Sequence, residues 1–86
     1  SAEPEGEKEQ HLYEKSVIKL IDAFERLNEQ QTFLSVEAWR ELRAKNQPER
    51  LIFAVAESLR IPFVELQDIL VTDSLWERAE KVKAAM

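Results

Sequence analysis

The chain contains no cysteine, which excludes disulfide frameworks, thiolate zinc sites, iron–sulfur clusters and cysteine nucleophiles together. Its single glycine, Gly6, excludes phosphate-binding and dinucleotide-binding loops, since these need several glycines at fixed spacing. The single histidine, His11, has no second imidazole at helical spacing with which to share a metal. No apolar run approaches the ~18 residues of a membrane span, and no basic start followed by an apolar stretch reads as a signal peptide. The expectation is therefore a soluble, cytoplasmic protein without membrane insertion. Excess positive charge is also missing: the formal net charge of −5 argues against a general binder of nucleic acid or anionic membranes.

What is there is one domain's worth of chain. Eighty-six residues, 44% hydrophobic and 34% charged, have the balance of a globular module rather than a disordered one. Residues 1–9, SAEPEGEKE, stand apart, with four glutamates against one lysine and no large apolar side chain. Such a stretch cannot offset its own ordering entropy, so a disordered acidic tail or linker is expected there, followed by a single helical domain over 10–86. Ser1 in place of an initiator methionine reads as an excised or processed terminus.

Apolar spacing beyond the tail is helical throughout. Leu12, Tyr13, Val17, Leu20, Ile21, Phe24 and Leu27 fill an arc of about 180° on a first helix spanning about residues 10–31. Ser35 caps a second helix to about Lys45, with Ala38, Trp39 and Leu42 on its inward stripe. Asn46 and Pro48 start a third, to about Arg60, whose run Leu51–Ala56 is apolar around most of its circumference and belongs in the middle of the fold. Pro62 forces a break before a fourth helix to about Leu70, with Phe63, Leu66, Ile69 and Leu70 inward. Ser74 and Glu77 form a capping box for a fifth, about 74–85, carrying Leu75, Ala79, Val82 and Met86. No segment alternates with period two. The fold class is all-α, a compact bundle of four to five helices.

Catalytic constellations are absent from the pattern. His11 falls at the exposed start of the first helix, and Ser16, Ser35, Ser58 and Ser74 have no histidine or lysine partner at a recognisable spacing. The carboxylate pairs Glu25/Glu29 and Glu37/Glu41 lie beside arginines, as on solvated helix faces. No enzyme, metal or cofactor is expected.

Two stretches point to binding instead. Residues 53–70 resemble a helix-turn-helix: a small residue at Ala56, then apolar residues at Leu59, Ile61, Leu66 and Ile69. Two departures weaken a role in reading DNA. Arg60 occupies the turn position that usually takes a left-handed glycine, and the second helix has two carboxylates and no Lys or Arg. A nucleic-acid-associated regulator with a degenerate motif is the alternative reading. Arg40, Arg43, Lys45 and Arg50 form a local basic surface for an anion or acidic partner, with Trp39 either beside them or turned into the core.

The leading expectation is a docking, adaptor or regulatory domain, part of a larger protein, whose partner is another protein chain, either its own copy or a different one. Its motive is surplus apolar surface. One packing contact needs an arc of about 100°, and the first helix offers more. Tyr13, Val17, Ile18 and Ile21 on that helix and Val64 on the fourth are the expected contact residues.

Overall fold

The computed structural model describes residues 3–86, with side chains from residue 6 on. Five helices follow in order: α1 (Glu3–Gln30), α2 (Val36–Ala44), α3 (Pro48–Ser58), α4 (Phe63–Leu70) and α5 (Leu75–Ala84). Among the described residues there is no strand. The architecture is the all-α bundle that the apolar spacing predicts.

Helix α1 is the axis of the molecule. Its 28 residues, at about 1.5 Å each, account for most of the 45 Å long dimension. Helix α5 lies along it and forms the most extensive helix contact, running in the same direction. Leu75 and Trp76 border a hollow with Gln10 and Tyr13, and one turn or two further on Glu80 and Lys83 border another with Ser16 and Lys19. Helix α3 fills the centre, touching α1, α2 and α5, as its apolar circumference requires. The core is one cluster: Leu20, Phe24, Val55 and Val82 are wholly buried, with Val17, Trp39, Leu51, Ile52, Ala56, Ile69 and Ala79 around them. Phe24 meets the Trp39 ring at 4.9 Å and the Phe33 ring at 6.2 Å, both tilted, the arrangement favoured by ring quadrupoles.

The connections follow from local chemistry. Ser35 caps α2 as expected, its Oγ accepting from the Ala38 N–H at 3.1 Å. Asn28 secures the α1–α2 connector from within α1. Its Oδ1 accepts from the N–H groups of Phe33 (2.7 Å) and Leu34 (2.9 Å), and its Nδ2 donates to the Leu34 carbonyl (2.9 Å). These bonds seat Phe33 on the Phe24 ring. Asn46 and Arg60 both take left-handed backbone, φ 51° and 57°, ending the chain segments before α3 and α4.

Three expectations change. The first helix begins at Glu3 rather than at about residue 10, an N-terminal extension into the acidic stretch. Residues 1–2 lie outside the described residues. Gly6 to His11 are all exposed, which explains why apolar spacing gave no sign of the extension. Ser74 sits at the N-cap of α5 but makes no side-chain cap bond. Phe63 and Leu70, expected inward, are 65% and 39% exposed. Helix α4 packs chiefly on α5, with Ile69 in the core and Leu66 against it, and its first residue, directly after Pro62, lies outside the core.

Candidate interaction surface

The residues singled out from the sequence separate into buried and exposed sets. Val17 is in the core, and Tyr13 and Ile21 are half-buried against it. Val17 and Ile21 border a hollow with Leu42, Pro48 and Leu51, so the α2–α3 junction flanks this side of α1 while α5 covers the other. The wide apolar arc thus serves two intramolecular contacts. Ile18 and Val64 are exposed on different helices, α1 and α4. Burial pushes the Tyr13 phenol above its ordinary pKa, and the nearby Glu49 carboxylate raises it further.

The basic set is divided in a similar way. Arg43 forms an ion pair with Glu25, whose Oε1 also accepts from Trp39 Nε1 at 3.1 Å. Trp39 is therefore a core residue with its polar edge satisfied, not a stacking platform. The same bonds occupy Glu25, one half of the Glu25/Glu29 pair. Arg40, Lys45 and Arg50 are exposed, and none has an ion-pair partner within 4 Å among the described residues. Of the other polar candidates, His11 is exposed, and the Ser58 hydroxyl donates to the Val55 carbonyl at 2.8 Å.

The main apolar surface lies where the helix-turn-helix-like pattern fell. On α4 and just beyond it, Phe63, Val64 and Val71 occupy an outward arc of about 100° opposite Leu66 and Ile69. Val64 and Val71 are 78% and 74% exposed. Phe53 of α3 and Leu70 of α4 stand at the edges of an adjoining groove of about 270 Å³, floored by Ile52, Ala56 and Ile69. The two helices do not cross closely, because Arg60 and Pro62 turn α4 away onto α5. Polar ties hold α4 there. Lys81 Nζ donates to Asp68 Oδ2 at 3.2 Å and to Thr72 Oγ1 at 2.8 Å, and Arg78 Nε donates to the Thr72 carbonyl at 2.6 Å. No Lys or Arg occurs from Ile61 to Val71, so this face offers apolar contact and two carboxylates, Glu65 and Asp68.

Comparison with known families finds a match: residues 1–86 match the model of the ATP-dependent protease La (LON) substrate-binding domain. The chain belongs to that family. No curated protein and no solved structure matches the LON substrate-binding chain described here. Val64, expected as a contact residue, is exposed on this arc, whereas Phe63 and Leu70 were expected inward and Val71 was not singled out. The available indication was the composition of α4, which is apolar on both sides of an eight-residue helix and has room for one intramolecular contact only.

Proposed function

We propose that this domain holds polypeptides for a protease of the La type, docking them by their exposed apolar residues on the outer side of α3 and α4. The observation that carries this reading is the exposed apolar set Phe53, Phe63, Val64, Leu70 and Val71 on consecutive elements of a LON substrate-binding domain. Exposed apolar surface contiguous over several large side chains marks a binding face rather than ordinary surface. Unfolded or partly folded chains present the matching chemistry, because their apolar side chains are uncovered. The domain itself supplies no reacting group in this reading; cleavage belongs to a catalytic part elsewhere in a larger protein. Arg50, which borders the adjoining groove, gives the captured chain one cationic contact.

Fluorescence anisotropy with a labelled, reduced and carboxymethylated protein that cannot refold tests this directly. The domain binds that chain and leaves its native, disulfide-bonded form unbound. Equal binding of the two forms, or of neither, contradicts the proposal.

A further inference from the structure

The groove between α3 and α4 adjoins the outward arc and has different chemistry at its mouth. Its floor is apolar and buried: Ile52, Ala56 and Ile69 are each at most 5% exposed. Phe53 and Leu70 form the walls, each 39% exposed. At one end stand Arg50 on α3 and a Glu49–Arg78 pair whose 3.5 Å separation is long for a hydrogen bond. Arg50 has no partner within ion-pair distance among the described residues, which leaves that end of the groove with a surplus positive charge.

Size and charge together select an occupant. About 270 Å³ lies just below the ~300–1,000 Å³ of sites that enclose a whole small molecule, and it suits a single large side chain inserted as an anchor. The Phe53 ring on one wall favours an aromatic anchor through offset or edge-to-face contact. The uncompensated guanidinium of Arg50 at the rim favours a carboxylate on the residue beside the anchor.

We propose that this groove is a specificity pocket for an aromatic side chain with an acidic residue beside it in a polypeptide. The inference rests on the reading of the domain as a polypeptide-docking module and adds a preference among the segments that it docks. Ala56 keeps the floor low enough for the ring to enter, and Arg50 selects the neighbouring charge.

Three peptides identical except for a central Phe-Glu, Phe-Lys or Ser-Glu test it by NMR titration of the isotopically labelled domain. With Phe-Glu, the amides of Ile52, Phe53, Ala56, Ile69 and Leu70 shift, and binding is about threefold tighter than with Phe-Lys, the scale of one exposed ion pair. Ser-Glu leaves the groove amides unmoved. Arg50→Glu reverses the preference between Phe-Glu and Phe-Lys while the spectrum of the free domain stays folded. Equal affinity for Phe-Glu and Phe-Lys, shifts confined to residues outside the groove, or an unchanged preference in Arg50→Glu overturns the pocket. Capture of the unfolded protein by the domain would stand even then, so the two proposals fail separately.

Discussion

Replacing Asn28 by alanine removes three hydrogen bonds at once from the α1–α2 connector. The backbone N–H groups of Phe33 and Leu34 lose their acceptor, and the Leu34 carbonyl loses its donor. Each such bond contributes about 0.5–1.5 kcal/mol net. The site is half-buried, so water replaces part of the loss, and the expected cost is about 2–3 kcal/mol. Against a total stability of about 4–13 kcal/mol for a chain this size, that is a large fraction. It corresponds to a fall in thermal midpoint of about 10–20 °C. The loss also reaches the core, because the connector holds Phe33 against Phe24. Urea titration of Asn28→Ala followed by far-ultraviolet circular dichroism measures the cost, with Glu29→Ala as the exposed neighbouring control. A double-mutant cycle with Phe33→Leu should give a coupling above about 0.5 kcal/mol, as for residues sharing one network. If Asn28→Ala lies within 0.5 kcal/mol of the parent protein, on the order of a neutral surface change, the bracket does not hold the connector.

Two further outcomes follow from backbone strain and from titration. Left-handed backbone at Arg60 costs a residue with a Cβ about 1–2 kcal/mol, of which the greater entropy of an unfolded glycine returns about 0.5–1. Arg60→Gly should therefore stabilise the domain by about 0.5–1 kcal/mol in urea titration, and a loss of stability would contradict the strain. The raised pKa of Tyr13 means that the folded protein keeps the phenol proton at pH values where the unfolded chain has released it. Its contribution is fully present below the ordinary pKa of 10.0 and declines as pH rises above it. Between pH 9 and pH 11, roughly the span of a tyrosine titration, the parent protein should lose more stability than Tyr13→Phe; parallel profiles would refute this.

Most of the fold was legible because burial and helical spacing agree along the chain. Leu20, Phe24, Val55, Ala79 and Val82 carry the core on the stripes that their spacing defines. Proline and serine mark the joints: Pro48 and Pro62 start segments, and Ser35 caps α2. What periodicity could not show was the division of an apolar arc between neighbours. The wide face of α1 read as surplus for a partner, and only the paths of α5 and of the α2–α3 junction show it divided between two internal contacts. The reverse held for α4. Phe63 and Leu70 read as core by spacing, whereas a helix of eight residues turned aside by Arg60 and Pro62 can bury only one side. Asn28 was invisible for another reason: its three bonds join residues five and six positions apart across a turn, a relation that no helical repeat encodes.

The central claim is that the outer face of α4 captures polypeptides by their apolar side chains. The most direct measurement is the affinity of the variant Phe63→Ser/Val64→Ser/Val71→Ser for the reduced, carboxymethylated protein, beside that of the parent domain. All three positions are largely exposed, so the thermal midpoint should stay within about 2–3 °C of the parent value, as for surface changes. Each lost apolar contact removes part of the docking energy, and binding should weaken at least about tenfold. A variant that stays folded and binds the unfolded chain as tightly as the parent would contradict the account.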